Sequence, residues 1–340
     1  MLSRRILPAI AGLLLVIYLG VLGAQFLQRM KEYRRTAPLE NVAVEMNLAS
    51  SKETGAVSAA PSLPEEPIDA AEDYGFELSP LTVKQGGYAL LTVHGATLLS
   101  DVRVTSPFSY TPSWTELGDG ICAFFPIRFD CPLGEYLVTA EGGGHNEEFL
   151  LNVVDGEFPV QYMEIDEKTA DETIRSTAAN DEYMAKAQPI KSVSVHEVLW
   201  DGPFMLPVEG GWRSTEFGSI RYVNGVYTEQ HGGTDIAVPL GTPAHAANDG
   251  LVVFAEPLLL TGNTVAIEHG MGLKTWYYHM DSIAVSAGDR VEKGDVIGYV
   301  GSTGFSTGPH MHFGASMGAV WIDPDLLLDE GNLPADGAQG

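Results

Sequence analysis

Hydrophobic and polar positions divide the chain into stretches of distinct texture. Residues 6–27, ILPAIAGLLLVIYLGVLGAQFL, run without a charge and with one strongly polar side chain, Gln25. As a helix this run reaches about 33 Å, enough for a hydrocarbon core of about 30 Å. It reads as a transmembrane anchor behind a short cytoplasmic head, residues 1–5, with a cleaved signal segment as the alternative. Residues 28–72 form a stalk: from Thr36 onward they are rich in Ala, Ser, Pro and Glu, with no aromatic residue and no sustained apolar period. Over 73–155, short β-rich runs such as LTVKQGGYALLTVHG, GICAFFPIRF and GEYLVTAEGGG alternate with turn residues, a pattern that predicts a small Ig-like β-sandwich. Within 156–200, EKTADETIRSTAANDEYMAKAQ is rich in helix formers and ends at Pro189, which predicts a linking helix. Residues 201–330 return to β-branched strands punctuated by Gly, with no helical period, and 331–340 form a tail. The expected fold is mostly β, the C-terminal domain nearly all so.

Composition narrows the function classes. The chain has 340 residues, 45% of them hydrophobic, which excludes a purely disordered protein. Nineteen Lys and Arg against 45 Asp and Glu give a formal charge of −26, and an acidic field of that size repels polyphosphates, so no nucleic-acid partner is expected. The basic residues near the apolar run do not fix its orientation: Arg4 and Arg5 precede it, but Arg29, Lys31, Arg34 and Arg35 follow it and would hold the C-terminal side in the cytoplasm. Two cysteines, Cys122 and Cys131, flank a run of strand character that would hold them too far apart for a disulfide if extended.

The candidate chemistry sits in the C-terminal domain. His231 and Asp235 lie in HGGTD, His279 in YYHMD, and His310 and His312 in PHMHF. Alternation on a strand puts His310 and His312 on one face, roughly 7 Å apart. Zinc accepts imidazole nitrogen and carboxylate oxygen, and a catalytic zinc keeps three protein ligands and an open position. Each motif alone arises by chance; together, in one glycine-rich β domain, they point to a metal site. His94, His145, His196, His245 and His269 have no such partners and read as surface or packing residues, and Tyr277, two before His279, reads as packing.

The stretch from Phe217 to about Pro324 resembles the lysostaphin-type (LytM-like) zinc metallopeptidases, whose HxGxD, Y-x-H and HxH motifs are met by HGGTD, YYH and HMHF, with FGSIR before them and AGDRVEKGDVIGYVGSTGFSTGPH between them. The resemblance covers about a third of the chain. Met280 and Met311 replace the family's usual Leu, and His245 stands where an apolar residue is commoner. The resemblance implies a compact antiparallel β domain with a groove across it, and zinc-dependent hydrolysis of peptide bonds in the stem or cross-bridge peptides of bacterial peptidoglycan. It makes His231, Asp235 and His312 the ligands of one zinc, with His279 and His310 as catalytic residues beside it, either of which can be the general base. Because peptidoglycan lies outside the membrane, it also favours an anchored protein of the bacterial cell membrane with its peptidase domain outside, or one secreted after signal cleavage.

Two rivals stand beside this reading. Some domains of this type have lost ligands and act as non-catalytic wall-binding or amidase-activating scaffolds. VSAGDRVEKGDVIGYV also resembles the turn of biotinyl and lipoyl carriers, which present a lysine on a hairpin tip, and the domain from Asp201 offers Lys274 and Lys293 for that role.

Overall fold

The computed structural model describes residues 74–96, 102–117, 120–328 and 333. All of them fall in one compact unit, Val44–Gly340. The expected anchor and stalk, residues 6–72, and almost all of the expected tail lie outside the described residues; among those described, no helix is long and apolar enough to cross a membrane.

Among the described residues, the first domain has eight strands: β1 (Gly75–Ser79), β2 (Thr82–Lys84), β3 (Tyr88–His94), β4 (Arg103–Thr105), β5 (Trp114–Leu117), β6 (Gly120–Pro126), β7 (Gly134–Gly142) and β8 (His145–Val154). They make two four-stranded sheets, in the orders β1-β3-β6-β5 and β2-β8-β7-β4. One apolar cluster, including Leu91, Ile121, Phe125, Val138 and Leu151, fills the space between them. Strand β6 is buried at every position, because it has two apolar faces. Ile121, Ala123 and Phe125 enter the sandwich core, while Cys122 and Phe124 enter the core of the following domain beside Trp200. Cys122 lies in β6 and Cys131 beyond its end; both are buried, and no disulfide joins them.

The linking segment is more structured than its sequence reading. It opens with a strand, β9 (Val160–Met163), and the expected single helix is two: α1 (Glu167–Glu172) and α2 (Thr177–Lys186). The break has a local cause, since Ser176 acts as an N-cap, its hydroxyl accepting from the Ala179 amide at 3.2 Å, and thus starts a new helix. A 3-10 turn, Gln188–Ser192, follows with Pro189 in its first positions.

The second domain contains β10 (Trp212–Thr215), β11 (Ile220–Val223), β12 (Val226–Gln230), β13 (Gly233–Ala237), β14 (Pro243–His245), β15 (Gly250–Leu258) and β16 (Gly262–Gly270). It continues through β17 (Leu273–Met280), β18 (Ser282–Ile283), β19 (Arg290–Val291), β20 (Val296–Tyr299), β21 (His310–Met317) and β22 (Val320–Ile322), with one 3-10 turn, Pro324–Leu327. The main sheet runs β10-β13-β21-β17-β16-β15-β19, with β22 added to β21. Its central strands β16, β17 and β21 are buried at nearly every position, polar residues included, because both faces of the sheet are covered. On the face that carries Trp276 and Tyr278, α2 and the turn after it supply the cover: Tyr183, Ala187 and Ile190 pack with Phe254, Leu258, Trp276 and Trp321. Strand β9 joins a small sheet, β12-β11-β9, running parallel to β11.

Candidate metal centre

Strand register assembles the site. In the antiparallel pair β13–β21, Asp235 lies opposite His312 and Ala237 opposite His310; on the other side of β21, Tyr278 of β17 lies opposite His312. Residues opposed across a ladder point to the same face, so Asp235, His310, His312 and Tyr278 share one side of the sheet. His231 arrives from the turn before β13. The turn passes so close to β21 that a Cβ on Gly233 would lie 2.7 Å from His312 Nε2 and 2.5 Å from the Phe313 carbonyl, which only glycine allows.

Three donor atoms converge. His231 Nε2 is 2.9 Å from His312 Nδ1, and Asp235 Oδ1 is 3.0 Å from His312 Nδ1 and 3.1 Å from His231 Nε2. All three residues are buried. His231 Nδ1 lies 3.0 Å from the Glu216 carbonyl, which can only accept, so Nδ1 carries the hydrogen and Nε2 presents a lone pair. The Asp235 carboxylate and two imidazole nitrogens within about 3 Å of one another are a donor set for a cation, which would take the His312 Nδ1 lone pair with that ring's hydrogen on the partnerless Nε2. A tetrahedral zinc with bonds of about 2.0–2.1 Å separates its donors by about 3.4 Å, so a small opening of this triangle accommodates it. His312 Nε2 has no hydrogen-bond partner, and its ring is stacked on Tyr278 at 4.6 Å and 5°, which aims Nδ1 at the centre. The donor set fits zinc, and the sulfur-free mixture of two imidazoles and one carboxylate is that of an open rather than a closed site.

Two further histidines border the same space. His279, last but one in β17, has a left-handed φ of 63°, a conformation rare outside glycine and one that places its side chain off the strand's regular course. Its Nδ1 donates to the Thr303 carbonyl at 2.8 Å, and His310 Nδ1 donates to the Gly308 carbonyl at 2.8 Å, so both present Nε2 as an acceptor. Their rings are 4.8 Å apart, and His310 Nε2 lies 3.8 Å from Asp235 Oδ1. Burial, then the neighbouring His310 and His312, hold His279 well below the usual imidazole pKa. Burial also lowers His312 to about 4. Burial would raise the Asp235 carboxyl, but His231 and His312 beside it hold it well below the carboxylate range.

A second layer fixes Asp235. Arg221 Nη2 donates to Asp235 Oδ2 at 2.5 Å, leaving Oδ1 for the centre; Arg221 Nε in turn donates to Gln161 Oε1 at 2.9 Å, and Nη1 lies 3.3 Å from Glu229 Oε1. Outer partners of this kind orient a ligand and tune its charge.

The structure thus brings together all five residues singled out by sequence. It leaves the other histidines elsewhere: His245 donates to the Gly294 carbonyl, His196 meets the Trp114 carbonyl, His145 stacks on Tyr74, His94 lies 3.6 Å from Glu77, and His269 is buried with Thr275. Tyr277 is buried, its hydroxyl accepting from the Ala247 amide, as a packing residue would be. Sequence reasoning missed Tyr278, Gln161 and the role of Arg221, although Arg221 closes the FGSIR stretch. The carrier reading fails on its lysines: Lys274 is fully buried 2.6 Å from Glu268, and Lys293 donates to the Pro203 carbonyl.

Fold and site together define a β domain with a two-histidine, one-aspartate metal centre and two histidines poised beside it. Residues 229–324 match the family model of Peptidase family M23, so the chain carries an M23 domain. The chain is similar to the peptidoglycan DD-endopeptidase ShyA of Vibrio cholerae serotype O1, 39% identical over 109 residues that make up 32% of this chain and 25% of that protein. It is also similar to the glycyl-glycine endopeptidase ALE-1 of Staphylococcus capitis, 38% identical over 99 residues, 28% of this chain and 27% of that one. The chain therefore spans about a quarter of the length of these curated relatives. A crystal structure of a Pseudomonas aeruginosa protein described as a peptidase M23 shares the fold, with a TM-score of 0.51 at 24% identity, covering 72% of this chain and 93% of that one.

Proposed function

We propose that this protein is a zinc-dependent endopeptidase that hydrolyses peptide bonds of bacterial peptidoglycan, in its stem or cross-bridge peptides. The observation that carries the reading is the convergence of His231, Asp235 and His312 on one point with the Nε2 lone pairs of His279 and His310 beside it. Bound there, zinc would supply Lewis acidity toward water and the scissile carbonyl. His279, kept neutral by burial, and His310 are placed to take the proton of the attacking water and return it to the leaving amine. Whichever of the two carries a proton can donate to the carbonyl oxygen as negative charge grows on it. Arg221 holds Asp235 turned inward throughout. The bond specificities named for the similar proteins, DD-endopeptidase and glycyl-glycine endopeptidase, support peptidoglycan peptides as the substrate class. A scaffold that had lost its chemistry would not need all five side chains.

In the test, His231→Ala, Asp235→Ala and His312→Ala lose zinc and activity together. His279→Ala and His310→Ala keep near-normal zinc while turnover falls about 100- to 10,000-fold, the usual scale of general acid–base help. Full activity in a folded, zinc-loaded His279→Ala or His310→Ala variant rejects that residue's role; loss of zinc from His310→Ala makes it a ligand.

The same reading places the chain in the bacterial cell membrane by a single pass through residues 6–27, with the peptidase domain outside on the 28–72 stalk. The uncharged 22-residue run and the location of the substrate support it. Protease added to wall-stripped cells should digest residues beyond 36; protection until the membrane is opened would reverse the orientation. We also read the first domain as Ig-like. Its two strand orders, the parallel pair β2–β8, and Tyr136 donating from the start of β7 to the Pro132 carbonyl at 2.6 Å, as a tyrosine corner does, support this.

A further inference from the structure

The loop between β20 and β21 receives the ring hydrogens of both histidines beside the metal centre: the Thr303 carbonyl accepts from His279 Nδ1 and the Gly308 carbonyl from His310 Nδ1, each at 2.8 Å. Any residue supplies a carbonyl; what distinguishes position 303 is its side chain. Thr303 Oγ1 donates to the Met280 carbonyl at 2.7 Å and accepts from the Asn263 amide at 3.0 Å. Asn263 Nδ2 donates in turn to the Met280 and Asp281 carbonyls at 3.0 and 2.8 Å. One hydroxyl therefore ties the loop to the end of β17 and the start of β16 together. The fit is close, since a Cβ on Gly262, itself at a φ of 65°, would collide with Thr303 Oγ1 and lie 2.6 Å from the Thr303 carbonyl oxygen. The Phe305 amide docks the next part of the loop on the same turn by donating to the Leu260 carbonyl at 2.8 Å.

His279 needs such holding. Its left-handed backbone persists only where the surroundings over-determine it. The His279 amide donates to the Thr261 carbonyl at 2.8 Å, and the His279 carbonyl accepts from the Thr303 amide at 3.4 Å, so Thr303 meets both the backbone and the ring of one histidine. With its hydrogen held on Nδ1, the ring can offer only Nε2 as an acceptor, and it cannot turn without breaking that bond. The carbonyl that receives the hydrogen must itself stay still. We propose that Thr303 is a positioning residue for His279: its hydroxyl pins the carbonyl that fixes the tautomer and the angle of the ring, and so keeps Nε2 turned to the space beside the metal. The consequence for rate rests on the peptidase reading above. The matching clamp on His310 is closed within the loop, where Ser306 Oγ donates to the same Gly308 carbonyl at 2.9 Å. The bonds of Thr303 Oγ1 run outward to two strands of the main sheet, which makes it the member that sets the loop against the histidines.

The experiment compares the full chain with Thr303→Val, which keeps the side chain's shape without its hydroxyl, and with Thr303→Ser, which keeps the hydroxyl. Thr303→Ala is the second hydroxyl-free variant, used if Thr303→Val does not fold. Circular dichroism and zinc content check the fold and the centre on the same preparations. Ring-nitrogen NMR shifts of isotope-labelled histidine, with His279 assigned by its loss in His279→Gln, report the tautomer. The wild type and Thr303→Ser should show the hydrogen on His279 Nδ1, whereas in Thr303→Val the two ring shifts should move toward each other as the tautomers mix. On a peptidoglycan-derived peptide, kcat of Thr303→Val should fall about tenfold at unchanged KM and zinc content, and Thr303→Ser should stay within about twofold of the wild type. Wild-type His279 shifts in Thr303→Val overturn the proposal. So does a rate loss that Thr303→Ser shares, or one that follows zinc content or folded fraction. If the wild type cleaves no peptidoglycan peptide, the peptidase reading fails, and the ring-nitrogen shifts alone decide the role of Thr303.

Discussion

His269 is fully buried, its Nδ1 donating to the Asp249 carbonyl and its Nε2 accepting from Thr275, both at 2.7 Å. Burial lowers its pKa to about 4 from an unperturbed 6.5. Between those two values the unfolded chain binds the proton and the folded chain does not, so stability falls as pH drops through this window and levels off below about 4. The shift corresponds to about 3 kcal/mol. Urea unfolding across pH 7.5 to 4 should therefore show a shallower acid loss in His269→Gln than in the wild type, after any uniform offset; parallel curves would contradict it. The residue scale also shows what a sequence can and cannot reveal. HGGTD and HMH are legible because their members are neighbours in the chain, and a strand's two-residue period already sets His310 and His312 on one face. Tyr278 and Gln161 are not legible, because only the pairing of β17 with β21 and of β9 with β11 carries them to His312 and Arg221.

At the scale of elements, the strands of both domains were readable from alternation and turn residues, whereas the linking segment was not. Its helix formers concealed a capping serine at position 176, and the four residues of β9 carry too little pattern to announce a strand. What holds this segment down is long-range. Lys191 sits over the Trp321 ring, 3.9 Å from its centroid. The buried Glu268–Lys274 pair reaches it from the sheet, with Glu268 Oε1 accepting from the Val195 amide at 3.2 Å and Lys274 donating to the Val193 carbonyl. Burial raises the Glu268 carboxyl and lowers the Lys274 amine, so each depends on the other to stay charged. Lys274→Met should cost roughly 3–5 kcal/mol by stranding Glu268. Adding Glu268→Gln, which keeps the acceptor for Val195 and Gly272, should restore most of that loss. Chemical denaturation of the two single variants and the double closes the cycle, and simple additivity would show that the pair is uncoupled.

Across the whole molecule, the sandwich is not a bead on a string. Strand β6 gives one face to each core, Phe129 and Phe158 pack edge-on against Phe217, and the Asp323 amide donates to the Gly86 carbonyl at 2.8 Å. Phe217 opens the stretch that leads to Arg221 and His231, so the first domain and the linking segment buttress the part of the chain that delivers the metal ligands. The central claim is that this assembled centre breaks peptide bonds in peptidoglycan only when zinc fills it. The most direct measurement is mass spectrometry of purified peptidoglycan incubated with the full chain, zinc-loaded, chelator-stripped, and reloaded. The account predicts new peptide termini in the first and third samples and none in the second. Intact peptidoglycan in all three, from protein that demonstrably holds one zinc, would contradict it.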